Sequence, residues 1–123
     1  MKSITKKYVE SFEKLTPSSI YNLVDCLHEC FIFIDPFNKI TGKEHFKKFL
    51  EKMFLNIKHP KFRILKVLEE KDLIFVKWNF EYQTSKKKVC FDGMSELIIK
   101  ENLIYKHTDY WDSGTNVYSN LPL

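Results

Sequence analysis

The sequence predicts one α+β domain, in which helices come first and a curved sheet follows. Two observations carry this prediction: apolar residues recur at helical spacing in most of the chain before Pro60, and they alternate with polar residues in most of the chain after it. Strands and helices do not alternate, as they would in a parallel α/β sheet. Because 123 residues is a common size for one domain, we assign residues 1–123 to a single domain.

Three helices are predicted before Pro60, and the first two are adjacent. The first covers Ile4–Leu15, where apolar residues share one face and charged residues occupy the others. The second begins at Thr16, a residue type that caps helices, with Pro17 in its first turn. Its apolar stripe extends to Leu27.

A short strand separates these helices from the third. Phe31–Ile34 is continuously apolar, and the strand ends at Asp35 because the following proline disfavours regular structure. Thr41 and Glu44 stand at the spacing of a capping box, and apolar residues follow at helical intervals as far as Ile57. This segment predicts the third helix.

Four strands are predicted after Pro60. They cover Phe62–Leu68, Leu73–Tyr82, Val89–Ile99 and Leu103–Trp111. The joints between them are short and polar, so the strands are expected to pair as an antiparallel meander. Gly93 within one strand predicts a bulge or a bend, and a bent sheet leaves room for a pocket under the helices.

Charge and composition exclude several classes of function. The 20 Lys and Arg residues against 16 Asp and Glu residues give a formal charge of +4, and the basic residues are scattered along the chain. Nucleic-acid binding is therefore not expected, since it needs basic residues gathered on one face. No segment has the apolar core of a signal peptide or the length of a membrane span, which predicts a cytoplasmic protein without membrane contact.

Cofactor and metal sites are not expected either. The three glycines form no loop that could cradle a phosphate, and no two of the four histidines share a ligand spacing on one element. Cys26 and Cys30 stand four residues apart in the second helical pattern, which is neither a redox nor a zinc spacing. They are expected to be small buried apolar residues.

The last strand carries the most informative residues. Alternation places one set of side chains on the face toward the helices: Leu103, Tyr105, His107, Asp109 and Trp111. The opposite face, with Lys106 and Thr108, is expected to be the wetter one. A buried carboxylate needs a partner, and His107 is the nearest candidate for Asp109. The pair is expected to serve either as an acid–base site or as a structural ion pair.

Asp35, at the end of the first strand, has two interpretations. Its carboxylate is expected either to cap the turn that follows, by accepting a bond from a nearby backbone N–H, or to act as a general base at the mouth of the pocket. The residue types around it are compatible with both roles.

The order of these elements and two local motifs resemble the nuclear transport factor 2-like superfamily. The motifs are Ile34-Asp35-Pro36-Phe37 and His107-Thr108-Asp109-Tyr110-Trp111-Asp112, with a Gly42-led helix between them. Within the superfamily the chain is most similar to the SnoaL-like, polyketide-cyclase-like group, from about Tyr8 to Leu123. The resemblance implies a cone, in which a bent, mixed and mostly antiparallel sheet encloses a pocket, and it implies homodimers formed through the sheet.

The resemblance to ketosteroid isomerases within this superfamily implies a role for Asp35. Asp35 is similar in setting to their catalytic base, which moves a proton between carbons of an enone. Their two oxyanion donors correspond in position to Phe12 and Ser95, and Tyr8 lies one helical turn before the first of these.

Two other groups of the superfamily imply roles for the last strand. Asp109 looks like the carboxylate of the epoxide hydrolases, whose Arg and Asp on a central strand correspond in position to Trp78 and Phe80. His107 with Asp109 is similar to the His and Asp pair that polyketide cyclases use to close a ring.

Two hypotheses follow. The first is a protein that binds a small, largely apolar molecule, cyclic compounds included, and acts on it by isomerase-type or cyclase-type acid–base chemistry without a cofactor. Its catalytic groups would be Asp35, His107 and Asp109, and its pocket would be lined by Tyr8, Phe12, Phe33, Phe54, Trp78, Ser95, Tyr105 and Trp111. The second is a non-catalytic module for binding or dimerisation, in which His107 and Asp109 hold the last strand in place.

Overall fold

The structure is a computed structural model that describes residues 1–114. Its helices are α1 (Ser3–Glu13), α2 (Ile20–Val24) and α3 (Lys43–Asn56), and a 3₁₀ turn (Pro17–Ser19) precedes α2. Its strands are β1 (Leu27–Ile34), β2 (Lys39–Thr41), β3 (Lys58–Glu70), β4 (Leu73–Gln83), β5 (Lys88–Lys100) and β6 (Leu103–Tyr110). The predicted α+β class is confirmed, and residues 115–123 of the assigned domain lie outside the described residues.

The six strands form one mixed sheet in the order β2-β1-β6-β5-β4-β3. Strands β3 to β6 pair antiparallel in chain order, which confirms the predicted meander. Strand β1 lies parallel to β6, and β2 pairs antiparallel with β1 at the edge. The sequence does not predict β2, because three residues are too few to display an alternating pattern.

The second helix is shorter than its apolar stripe predicts. It ends at Val24, and Leu27 already belongs to β1. The pairing of β1 with β6 shifts register between Leu27 and Ile32, so side chains in this part of β1 do not alternate regularly. Cys30 therefore lies on a strand and is exposed, which corrects the prediction, whereas Cys26 is buried as expected.

The start of α3 also differs from the prediction. The N-cap is Gly42, whose φ is 92°, rather than Thr41. Glycine adopts this left-handed conformation at little cost, so backbone geometry, and not a capping box, sets the turn from β2 into α3.

Gly93 introduces no bulge, so of the two features predicted there, a bulge or a bend, the bulge is wrong. The pairing of β4 with β5 continues in unbroken register past Gly93, which lies opposite Trp78. A Cβ atom at Gly93 would lie 2.2 Å from Cη2 of the indole. Glycine is therefore needed here because the Trp78 ring approaches the backbone closely.

One hydrophobic core lies between the helices and one face of the sheet. Its buried side chains include Tyr8 from α1, Phe46 from α3, and Phe31 and Phe33 from β1. Phe46 contacts both β1 rings, with centroids 5.0 and 4.9 Å apart, so α3 is held against the sheet by aromatic packing. Among residues 1–114, no helix has the length and apolar character to cross a membrane.

Candidate functional site

The inner face of the sheet and helix α1 enclose a small, mainly apolar cavity of about 30 Å³. Its lining includes six residues that the sequence singles out: Tyr8, Phe12, Trp78, Ser95, His107 and Asp109. The cavity therefore unites two of the three predicted catalytic residues with half of the predicted lining residues.

Strand register places the polar side chains of this cavity next to each other. Ser95 on β5 is paired with Asp109 on β6, and Trp78 on β4 is the diagonal neighbour of Ser95. His107 precedes Asp109 by two residues and faces the same side of the sheet. Tyr8 reaches the cluster from α1 and is 1% exposed.

A continuous chain of hydrogen bonds joins these five side chains. Tyr8 Oη lies 2.7 Å from His107 Nδ1, and His107 Nε2 lies 2.5 Å from Asp109 Oδ1. Trp78 Nε1 donates to Ser95 Oγ over 2.8 Å, and Ser95 Oγ donates to Asp109 Oδ1. Both ends of the chain thus lead to Asp109.

The residues at the two ends fix the direction of the bonds. The indole of Trp78 can only donate, so the hydroxyl hydrogen of Ser95 points to Asp109. Burial, together with the charge of Asp109, raises the pKa of Tyr8 well above its usual value, so the phenol keeps its proton. Since Nδ1 of His107 is its one hydrogen-bond partner within residues 1–114, the buried hydroxyl hydrogen is donated there. The imidazole hydrogen is then on Nε2 and is donated to Asp109.

The two carboxylate oxygens of Asp109 have different surroundings. Oδ1 accepts bonds from His107 and Ser95, whereas Oδ2 has no hydrogen bond within residues 1–114. The side chain is 17% exposed. A carboxylate held at one oxygen and open at the other can accept a proton at the open oxygen, so the cluster can serve as a general base.

Aromatic rings surround His107. The ring centroids of Phe33, Phe12 and Tyr8 lie 5.1, 5.6 and 5.7 Å from that of the imidazole. No Lys or Arg is found among the described residues that line the cavity. Because such an environment has a low dielectric constant, charges and hydrogen bonds act more strongly here than at the surface.

Asp35 lies outside this cavity. Its carboxylate accepts bonds from the backbone N–H groups of Phe37 and Asn38, at 2.9 and 2.7 Å, and from the side-chain amide of Asn38. These bonds confirm the turn-capping interpretation. Asp35 and Asp109 both line a depression at the ends of β1 and β6, and an acid–base role for Asp35 stays a prediction.

Three other predicted lining residues also lie elsewhere. Phe33 is part of the buried core, and Phe54 on α3 packs against that core. Trp111 lines the depression near Asp35, where its ring contacts Phe37. Trp111 comes after the end of β6, so the alternation of that strand does not govern its direction.

Tyr105 is turned away from the cavity by an irregularity in β6. Ile104 and Lys106 pair with consecutive residues of β5, which leaves Tyr105 as an extra residue. Ile104 is consequently buried in the core. Tyr105 instead packs edge-on against His28, with ring centroids 5.5 Å apart.

The face of β6 that carries Lys106 and Thr108, predicted to be the more solvent-exposed one, is not exposed along its whole length. Thr108 on that face is only 8% exposed. Thr108 is paired with Ile34 of β1 and Glu96 of β5, so side chains of both neighbouring strands flank it on this face.

Five lining residues are absent from the predicted set: Val9, Phe62, Ile64, Val76 and Leu97. Alternation along β3 and β4 does place Phe62 with Ile64, and Val76 with Trp78, on single faces. The pattern therefore contains a signal for them, but only the pairing of the strands shows which of these faces borders the cavity.

Comparisons with known proteins agree on the fold. A family model described as SnoaL-like domain matches residues 7–107, which is most of the chain. No curated protein matches the chain in sequence.

Several solved structures superpose over nearly the whole chain. A nuclear transport factor 2-like protein of unknown function from Burkholderia pseudomallei has a TM-score of 0.85 at 11% identity and covers 96% of this chain and 97% of its own. A ketosteroid isomerase-like protein from Catenulispora acidiphila, solved in complex with trimethylamine, has a TM-score of 0.83 at 14% identity, covering 99% and 95%. A provisionally named polyketide cyclase from Pseudomonas putida has a TM-score of 0.79 at 15% identity, covering 97% and 96%. At these identities the likeness shows the fold alone.

Proposed function

The chain belongs to the SnoaL-like domain family, and from that premise we propose that it binds a small, largely apolar molecule in its aromatic cavity and acts on it by acid–base chemistry without a cofactor. The observation that carries the proposal is the buried chain of Tyr8, His107 and Asp109, in which one carboxylate oxygen is left open. Two solved relatives with this fold carry the names of a polyketide cyclase and an epoxide hydrolase, which is consistent with chemistry on small molecules.

The proposed mechanism is a proton transfer at Asp109. Oδ2 takes a proton from an acidic C–H or O–H group of the ligand, and the same oxygen returns it to another atom of that molecule, so no other reactant is consumed. His107 and Ser95 keep Oδ1 hydrogen-bonded throughout. Tyr8 acts as a positioning residue, since its bond to Nδ1 holds the imidazole hydrogen on the side of Asp109.

Asp109→Asn tests this proposal, because it keeps the size of the side chain and removes the base. Small cyclic carbonyl compounds and phenols would be screened for binding by NMR, and the compounds that bind would be examined for isomerisation or ring closure. We expect turnover to fall by at least about 100-fold in the variant, within the range that general base catalysis contributes.

Two further variants give this experiment its controls. Asp92→Asn removes a carboxylate from an exposed position of β5, where it accepts a bond from Asn79, and should leave binding and turnover unchanged. Asp35→Asn tests the second predicted acid–base group in the same assay. Unchanged affinity and turnover in Asp109→Asn would show that Asp109 is not the central group.

The competing proposal is a non-catalytic module of the same fold. Two observations favour it: a cavity of about 30 Å³ has room for about two water molecules, and Phe12 and Phe62 pack against each other within its lining, with ring centroids 5.3 Å apart. A cyclic ligand therefore requires these two rings to move apart. On this proposal Asp109→Asn lowers the free energy of unfolding by about 2–3 kcal/mol, through weaker bonds to His107 and Ser95, and the screen finds no ligand for the wild-type protein.

A homodimer formed through the sheet is also proposed. The outer face of the sheet exposes large apolar side chains: Leu68, Leu73, Phe75, Met94 and Tyr110. Leu68 pairs with Phe75, and Met94 pairs with Tyr110, so these residues are neighbours across the strands. An apolar area of this kind is typical of a surface that another molecule covers.

A further inference from the structure

The charges of the cavity do not balance within the described residues. The imidazole of His107 is neutral when it accepts from Tyr8 at Nδ1 and donates from Nε2. The carboxylate of Asp109 therefore leaves the cluster with one negative charge. Within residues 1–114, His107 is the only residue in salt-bridge distance of Asp109, and no Lys or Arg lines the cavity.

The hydrogens of the cluster are also all donated within it. Tyr8 donates to His107, Trp78 donates to Ser95, and both His107 and Ser95 donate to Asp109. The positions left open among these groups within residues 1–114 are acceptors, namely Asp109 Oδ2 and the lone pairs of Tyr8 Oη, and only the first carries charge. A ligand that complements this arrangement brings a donor, and a cationic donor also balances the charge.

The walls of the cavity favour the same class of ligand. Four of its lining residues are aromatic: Tyr8, Phe12, Phe62 and Trp78. The faces of aromatic rings attract cations, and the attraction is larger where water is excluded. Apolar walls of this kind accept the alkyl groups of an organic ammonium ion, which a fully hydrated metal cation lacks.

We infer that this cavity binds a protonated amine whose N–H group is held by Asp109 Oδ2. The inference goes beyond the proposed function: it uses the same cavity, but Oδ2 holds the ammonium group as a binding partner and takes no proton from it. The volume of about 30 Å³ suits a group with the size of methylammonium. A larger amine extends past Phe12 and Phe62, whose rings pack together in the lining of the cavity.

The test compares ammonium ions with alcohols of the same size. The full chain would be titrated at pH 7 with methylammonium or ethylammonium chloride and with methanol or ethanol, and NMR would follow the indole N–H of Trp78 and the imidazole of His107. Sodium chloride at equal ionic strength is the control for screening. We expect saturable shifts with the ammonium ions in the millimolar range, since such small ligands bury little surface, and at least about 10-fold weaker binding of the alcohols, for which the charge of Asp109 is no advantage.

Asp109→Asn should remove this preference, so that ammonium ions and alcohols bind within about two-fold of each other once the charged acceptor is lost. Asp92→Asn, at an exposed position of β5, should keep it. Equal binding of ammonium ions and alcohols by the wild-type protein overturns the inference and leaves the proposed apolar pocket in place. If none of the four probes binds, the inference is also wrong, and the proposed function then depends on the screen of cyclic compounds.

Tyr8→Phe supplies a second test that leaves the carboxylate intact. Without the phenol, Nδ1 of His107 has no donor within residues 1–114, and a proton taken up there would produce an imidazolium that balances Asp109 within the cluster. Where ¹⁵N shifts show a doubly protonated His107 in the variant, we expect ammonium binding to weaken by about 10-fold or more, because the unbalanced charge is lost; where the imidazole stays neutral, the preference for ammonium ions should remain. The ¹⁵N shifts of His107 report its state, and a doubly protonated imidazole in the wild-type protein at pH 7 would contradict the inference.

Discussion

At the scale of single residues, Tyr8 determines the state of the polar cluster. Its hydroxyl is buried in the cavity and has one partner within residues 1–114, Nδ1 of His107. The phenol keeps its proton, because ionisation would place a second negative charge beside Asp109 in an apolar environment, and with one partner its buried hydrogen is donated to that nitrogen. The tautomer of His107 therefore follows from a residue on another element, 99 positions away in sequence.

This bond predicts a contribution of Tyr8 to stability at neutral pH. Tyr8→Phe leaves Nδ1 of His107 buried without its donor, which should lower the free energy of unfolding by about 1–3 kcal/mol. Urea titrations at pH 7 measure the loss. Tyr21→Phe is the matched control, because Tyr21 is 67% exposed and its loss should have no measurable effect.

The raised pKa of Tyr8 predicts a loss of stability in alkaline solution. Above the usual value of 10.0, the unfolded chain releases the phenolic proton while the folded chain retains it, so the free energy of unfolding falls as pH rises. The contribution is fully present below pH 10.0 and is lost toward the higher pKa of the folded state. Tyr8→Phe lacks this dependence.

Urea titrations from about pH 8 to about pH 11 would measure this pH dependence. The difference in stability between the wild-type protein and Tyr8→Phe should shrink above pH 10.0. Tyr21→Phe, tested in parallel, should follow the wild-type curve. If wild-type and Tyr8→Phe curves remain parallel over this range, the phenol is not protected by burial.

At the scale of elements, β5 links the packing of the sheet to the chemistry of the site. Its inward residues Gly93 and Ser95 make room for the Trp78 ring and accept the indole hydrogen, respectively. Its outward residues, Asp92 and Met94, are exposed. The geometry around Asp109 therefore depends on a strand that carries no ionised group on the cavity side.

Gly93→Ala should disrupt this arrangement. The added Cβ would lie 2.2 Å from the Trp78 ring, so the indole must move and its bond to Ser95 is weakened or lost. We expect a loss of about 1–3 kcal/mol, the usual cost of overpacking a core. Chemical denaturation measures the loss, and the NMR shift of the indole N–H reports the bond.

Met94→Ala is the control for this change, since Met94 is the next residue of β5 and is 43% exposed on the opposite face. Its stability should stay within about 0.5 kcal/mol of the wild-type value, as for most surface substitutions. A stable Gly93→Ala protein with an unchanged indole signal would contradict the role assigned to this glycine.

At the scale of the whole molecule, the two faces of the sheet have different surroundings. The inner face packs against the helices and forms the cavity, while the outer face carries the five exposed apolar residues from Leu68 to Tyr110 described above. The proposed ligand site lies on the inner face, and the outer face is the one proposed to meet a second copy of the chain.

Phe75→Lys should separate the proposed homodimer. Phe75 is 36% exposed and lies between Leu68 and Glu96 on the outer face. A charge there should weaken association by at least about 10-fold, because burying an unpaired charge is costly. Light scattering during gel filtration measures the mass, and the cavity should be unaffected.

Leu55→Lys is the matched control, because Leu55 is 85% exposed but belongs to α3 rather than to the sheet. A wild-type protein that is monomeric at high concentration would contradict the proposed dimer. A dimer that persists unchanged in Phe75→Lys would place the interface elsewhere.

The sequence by itself determined the fold class, the three helices and the pairing of β3 to β6 as a meander, because these depend on local periodicity. It also determined the His107–Asp109 pair, which depends on spacing within one strand. Only the tertiary structure decided which faces border the cavity. The irregularity at Tyr105 and the parallel pairing of β1 arise from contacts between distant segments, and no local pattern encodes them.

Contacts between distant segments also explain why the site differs from the one predicted. Asp35 and Asp109 both lie near the end of a strand, yet their neighbours in space assign the first to its own turn and give the second donors from β5 and β6. Tyr8 becomes part of the chemistry because α1 packs across the cavity onto β6. Residue types thus fix which groups can ionise, whereas the packing of elements fixes which hydrogens they share.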